Sequence, residues 1–106
     1  MKIEKIVIYT TFPDLKTAKH IINGLVKEKL AACGNIFKLQ SIFTWQEKIE
    51  EESEYGAFIK TRKSHYKKVE QYIKDNHPYE VPEIISWGIQ NGLDAYLDWV
   101  EKETAD

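Results

Sequence analysis

Ala32-Cys33-Gly34-Asn35-Ile36-Phe37-Lys38-Leu39-Gln40-Ser41-Ile42-Phe43-Thr44-Trp45 is the stretch on which the fold turns. Its residues sort by parity. Phe37, Leu39, Phe43 and Trp45 share one face of an extended chain, and Ile36, Lys38, Gln40, Ile42 and Thr44 share the other. A period of two sustained this long predicts a single long strand. Gln46-Glu47-Lys48 interrupts it, and residues 49–61 read as a second long strand. The pair forms a hairpin, although its turn lacks the glycine such turns usually carry.

Upstream, residues 3–11 are a β-branched, nearly continuous apolar run, which predicts a central strand. Pro13 ends it, and the Asp14 carboxylate suits a helix N-cap. Ala18, Ile21, Ile22, Leu25, Val26 and Leu30 follow at helical spacing, an apolar stripe of about four turns. Downstream of the hairpin, Ser64 is expected to cap a second helix whose Tyr66, Val69 and Ile73 face inward. Two prolines stiffen the loop at residues 77–83. Residues 84–89 read as a short strand, Asn91-Gly92 punctuates, and Leu93, Tyr96, Leu97 and Val100 mark a last helix. The order is strand, helix, strand, strand, helix, strand, helix. It predicts one α+β domain over residues 1–106: a ferredoxin-like split βαβ sandwich with a long central hairpin and an extra C-terminal helix. In that topology the first and third strands are central.

Length then predicts company. A strand of 12 to 14 residues spans about 40 Å, and a first helix of some 16 residues spans only about 24 Å. The uncovered end of the hairpin carries Ile42, Phe43 and Trp45. A long apolar edge invites another chain, and contiguous exposed aromatics mark an interface. Self-association through strand edges is therefore expected. The alternative is a bulge that folds the tip back onto its own domain.

Composition narrows the function. The chain has 106 residues, 42% hydrophobic and 30% charged, with a formal net charge of -2. That balance fits a soluble globular domain and gives no general attraction to nucleic acid or anionic membrane. Arg62 is the sole arginine, which counts against a phosphate-reading surface. Cys33 is the sole cysteine, so no intrachain disulfide forms. With no signal-like start and no apolar stretch of bilayer length, a cytoplasmic protein is expected.

Several segments carry a resemblance. They are Thr11-x-Pro13-Asp14, Leu30-Ala31-Ala32-Cys33, Ser41-x-Phe43-x-Trp45, Ile59-Lys60-Thr61, His77-Pro78-Tyr79-x-Val81-Pro82-Glu83 and Tyr96-Leu97-x-Trp99. In this order, over nearly the whole chain, they resemble the CutA family. The resemblance implies a ferredoxin-like protomer, a homotrimer assembled by strand-edge pairing, and a link to divalent-metal tolerance, copper in particular. Thr10 and Asn76 stand where some members carry cysteine and histidine, positions of a proposed copper site of which only His77 remains here.

The candidate residues are weighed as chemistry. His77 can ligate Cu(II) or another divalent cation if a neighbouring chain supplies further ligands, and otherwise fixes its loop through a backbone hydrogen bond. Cys33 is either a soft-metal ligand or a small buried hydrophobe. His20 and His65 are expected to be solvated. Glu50, Glu51, Glu52 and Glu54 alternate faces and cannot all converge on one ion. Trp45, Lys60, Tyr79, Glu83 and Trp99 are expected to meet at a subunit boundary, as a pocket or as interface core. No nucleophile elbow, P-loop or catalytic triad is readable, so no enzymatic activity is expected. Two other functions are weighed beside metal tolerance. One is a small-molecule-binding signalling trimer without direct metal binding. The other is a single-stranded RNA-binding module, suggested by the element order and by Tyr55-Gly56-Ala57-Phe58 but opposed by the acidic neighbourhood.

Overall fold

A computed structural model describes residues 3–105. The order is β1 (Lys5–Phe12), α1 (Leu15–Lys27), β2 (Cys33–Trp45), β3 (Lys48–Arg62), α2 (Tyr66–Asn76), β4 (Ile84–Gly88) and α3 (Asp94–Glu103). All strands join one sheet, in the order β2-β3-β1-β4. Each neighbouring pair runs antiparallel, and the first and third strands lie at the centre, as the sequence predicts. The ferredoxin-like sandwich is thus observed, with α3 as its addition. The expected domain of residues 1–106 also includes residues 1, 2 and 106, which lie outside the described residues.

One face of the sheet holds the core. Ile6, Ile8 and Phe12 of β1 and Ala57 and Ile59 of β3 meet Ala18, Ile21, Ile22 and Leu25 of α1 and Val69 and Ile73 of α2. The α1 stripe is buried as its spacing requires, except that Val26 is exposed. The Asp14 carboxylate accepts the Thr17 N–H at 2.7 Å, which satisfies an otherwise orphan donor of the first turn. These bonds hold the carboxyl below its usual range. At the other end Lys29 adopts a φ of 60°. Its N–H donates to the Val26 carbonyl and that of Leu30 donates to the Leu25 carbonyl, the paired closure of a Schellman motif.

Ser64 does not cap α2. A 3₁₀ turn over Lys63–His65 comes first, and His65 stands at the cap position without a side-chain bond. His65 is also buried, not solvated, and its Nδ1 donates to the Leu30 carbonyl at 3.3 Å. His20 is exposed, as expected.

The hairpin runs unbroken. Thirteen residue pairs link β2 to β3, from Cys33 opposite Lys60 to Trp45 opposite Lys48. No bulge folds the tip back. The turn is two residues long, with Gln46 at φ 51° and Glu47 at φ 67°. Two left-handed residues give the primed twist that a tight hairpin needs, here without glycine. β1 ends opposite Tyr55, so residues 48–54 of β3 pair only with β2. The molecule is accordingly elongated, 48 × 25 × 21 Å.

Candidate functional site

Strand register assigns every sheet residue to a face. Opposite the helices lie Val7, Tyr9 and Thr11 of β1, and Ile85 and Trp87 of β4. The same open face carries Cys33, Asn35, Phe37, Leu39, Phe43 and Trp45 of β2, and Glu50, Glu52, Glu54, Gly56, Phe58 and Lys60 of β3. Its centre is aromatic. Phe37 and Phe58 lie with centroids 5.0 Å apart, Tyr9 and Phe58 5.7 Å, and Phe58 and Trp87 6.2 Å. A Cβ on Gly56 would sit 2.6 Å from Leu39 and 2.9 Å from Phe37, so only glycine lets those side chains lie across β3. Phe58 is 40% exposed and Trp87 46%. Side chains of this size normally lie inside, and here they form one contiguous surface.

Two polar corners flank this surface. At one, His77 is buried and stacked on Phe12. Its Nε2 donates to the Thr11 carbonyl at 2.7 Å, and its Nδ1 accepts the Tyr79 N–H at 3.0 Å. Tyr79 is thereby set to donate its hydroxyl to Glu54 at 2.8 Å. Burial, that bond and the Glu54, Glu52 and Asp14 charges push the Tyr79 phenol well above its ordinary range. Tyr9 is raised too, by burial and then by the charges of Glu83 and Glu54.

At the other corner α3 lies across the end of the open face. The Lys5 ammonium pairs with Glu101 at 2.9 Å. Arg62 donates to the Glu101 carbonyl and to the Thr104 hydroxyl. Lys60 donates to the Asn35 side-chain oxygen. Cys33 Sγ lies 3.3 Å from the Tyr96 hydroxyl, and the Tyr96 ring packs on Trp99. Burial, then the bond with the Cys33 thiol, pushes Tyr96 up to about 12.

This geometry sorts the candidates. Tyr79 and Glu83 share the first corner, while Lys60 and Trp99 belong to the second. Trp45 stands at the tip, 59% exposed and about 20 Å along the strand from Glu54. The five do not form one pocket within a protomer. The two metal candidates are also kept apart. The backbone occupies both ring nitrogens of His77, and Cys33 lies in the other corner. Among the described residues no group of three His, Cys, Asp or Glu side chains is placed to hold a metal ion. The protomer alone therefore does not fit a copper centre built on His77 and Cys33. Sequence reasoning does not single out Tyr9 or Trp87, and it does not bring Phe37, Glu54 and Phe58 together with them. Their shared parity was the available signal, once the pairing register is known.

The sequence pattern of the family described as "CutA1 divalent ion tolerance protein" matches residues 6–103. The chain belongs to this family. The "Divalent-cation tolerance protein CutA" of Pyrococcus horikoshii is 40% identical over 99 residues, 93% of this chain and 97% of that protein. The "Protein CutA, chloroplastic" of Arabidopsis thaliana is 39% identical over 103 residues, and the match spans 57% of its length. Solved CutA structures share the whole fold. The Archaeoglobus fulgidus protein, described as a periplasmic divalent cation tolerance protein, superposes with a TM-score of 0.94 at 38% identity, covering 95% of this chain and 99% of that one. CutA1 from Shewanella sp. SIB1 gives 0.94 at 37% identity, with both chains fully covered. CutA membership accounts for the element order, the long hairpin and α3 together. Among the described residues of this CutA chain, no helix is long and apolar enough to cross a membrane.

Proposed function

We propose that the protein serves divalent-cation tolerance as a cytoplasmic homotrimer, a binding or sensing module without enzymatic activity. The observation that carries this reading is the open sheet face. The protomer leaves Phe58, Ile85, Trp87, Phe43 and Trp45 exposed on one surface. Among the described residues the outer edges of β2 and β4 are also unpaired. On the other face the helices cover only the inner part of the sheet, and Ile42 and Ile49 of the hairpin stand exposed beyond them. A second copy supplies both an apolar cover and strand edges, so the working surface lies between copies. There Trp45 of one chain can approach the polar corners of another, which no single chain achieves. Copper enters this reading as the metal of the response. Direct coordination by His77 would first require the ring to release Thr11 or Tyr79.

The test is the solution mass, measured by light scattering at low micromolar concentration, with growth in elevated Cu(II) compared between cells with and without the gene. Three subunits and a copper-sensitive deletion support the proposal. A single-subunit mass removes it. The corner formed by Tyr9, Tyr79 and Glu54 favours a second reading, a trimer that binds a small polar molecule between copies. Copper tolerance that is unchanged by deletion, in a protein that is still trimeric, would favour that reading.

A further inference from the structure

The loop corner holds a carboxylate that the protomer leaves without a cation. Glu54 stands on β3 just beyond the end of β1 and is only 6% exposed. Its Oε2 accepts the Tyr79 hydroxyl, a neutral donor, and it makes no ion pair among the described residues. The one buried side-chain oxygen or nitrogen left unpartnered among those residues is Thr10 Oγ1, so the free Oε1 of Glu54 keeps access to the surface. Register places its neighbours on the open face. Thr11 stands opposite Gly56, and Tyr9 opposite Phe58 one step further on. Phe37 reaches across Gly56 from β2 and stacks on Tyr9 with centroids 6.4 Å apart. Aromatic rings therefore line the way from Phe58 to Glu54. Glu83 enters from the segment before β4. After burial, its charge and that of Glu54 raise the Tyr9 phenol, so both carboxylates lie around that hydroxyl. Glu83 also makes no ion pair among the described residues. The cations of this face are engaged at its other end. Lys5 is held by Glu101, Arg62 by Thr104 and the Glu101 carbonyl, and Lys60 by Asn35, about 20 Å along β3 from Glu54.

A carboxylate taken out of water against a neutral phenol is costly until a cation reaches it. Ring faces beside it add their own attraction for positive charge. The cation is not a metal ion held by side chains of this protomer. Such an ion needs several ligands converging on one point, and no three His, Cys, Asp or Glu side chains among the described residues do so. An ammonium group asks for less. It needs acceptors for its N–H donors, and its carbon stem needs an apolar bed. The acceptors are the Glu54 and Glu83 carboxylates and the hydroxyl oxygens of Tyr9 and Tyr79. The bed is Phe37 and Phe58. We propose that this corner binds a primary alkylammonium, with its head between Glu54 and Glu83 and its stem across Phe37 and Phe58. A quaternary ammonium keeps the charge but has no N–H to donate, so it is the poorer ligand. The assignment rests on the reading of this corner as a small-molecule site between copies, and it names the class of molecule.

The experiment titrates the intact protein with three probes of one size, n-butylammonium, n-butanol and butyrate, at constant ionic strength, and reads binding by ligand-observed NMR. Butylammonium should bind at least about tenfold more tightly than the other two, because a hydrogen-bonded charge is worth that much or more. Glu54→Gln keeps the shape and a hydrogen-bond acceptor but removes the charge, and it should weaken butylammonium by about tenfold or more. Glu83→Gln alters an exposed residue that carries no part of the core, and it should weaken the same probe. Butanol or butyrate bound as tightly as butylammonium overturns the cation class and leaves the small-molecule reading standing. Butylammonium binding that neither variant moves also overturns the assignment, because the probe then sits elsewhere. The exposed Lys48 at the hairpin tip is the cation a second copy could bring. A wild-type protein that refuses butylammonium, beside a Lys48→Ala variant that accepts it, would show that corner filled by the chain's own lysine and overturn the free ligand. No binding of any probe to either protein removes the assignment, while the solution mass and the copper phenotype still decide the reading beneath it.

Discussion

Thr10 shows how one residue departs from its surroundings. It sits on central strand β1, fully buried, on the helix-facing side between Ile8 and Phe12. Its hydroxyl oxygen has no hydrogen-bond partner among the described residues. A buried hydroxyl left unpaired costs on the order of 1–3 kcal/mol, whereas an apolar group of the same shape does not carry that cost. Thr10→Val keeps the branched shape and removes the orphan oxygen. It should therefore stabilise the folded chain by about 1 kcal/mol, read as a higher urea midpoint at an unchanged slope. A neutral or lower midpoint would mean that the oxygen is satisfied in solution. The contrast with His77 is instructive, because that buried polar ring has both nitrogens paired with backbone. Sequence alone offered two readings of His77, metal ligand or loop clamp, and the protomer uses it as the clamp.

The hairpin is the element most legible in the sequence and the one whose turn was least so. Period two over residues 32–45 gave the strand, its partner and its length, because parity is a property of the covalent chain. The left-handed pair Gln46 and Glu47 carries no such mark, since neither residue type favours positive φ. Each L-residue in that region costs roughly 1–2 kcal/mol relative to its usual conformation. Replacing the pair with Asn-Gly should raise stability by about 1 kcal/mol or more. In a domain of this size that corresponds to a thermal midpoint higher by roughly 4–8 °C. No gain would mean that the tip is already rigidified by contacts beyond its own protomer. The cap of α2 departs from the sequence pattern for a related reason. Ser64 has the right chemistry, but the intervening 3₁₀ turn moves the first helical residue to Tyr66. Which sheet face the helices cover was not legible either. β1 is apolar on both sides, with Ile6 and Ile8 on one and Val7 and Tyr9 on the other. A continuous run therefore reads as covered on at least part of both faces, and in the protomer Val7 and Tyr9 are only half-buried where Ile6 and Ile8 are buried.

At the scale of the molecule, that second apolar face is the departure that has to be explained. A protomer folded for solitary life would place polar residues where Phe58, Trp87 and Ile85 stand. These side chains contribute little to their own core, which lies on the opposite face around Ile8 and Ile59. Folding and assembly should therefore separate under mutation. Phe58→Lys puts a charge at the centre of the aromatic cluster, within reach of water in the free chain and buried in an assembly. The lost ring is worth about 2 kcal/mol of apolar burial per copy, which by itself weakens association by about thirtyfold. A buried, unpaired ammonium adds to that loss. The variant should keep the far-UV circular dichroism of the native chain while its scattering mass falls toward one subunit. If the mass holds and the fold is lost instead, the open face is part of the protomer's own stability, and the interface must be sought at the edges of β2 and β4. If mass and fold both survive, the aromatic surface is free in the assembled protein and available to a ligand.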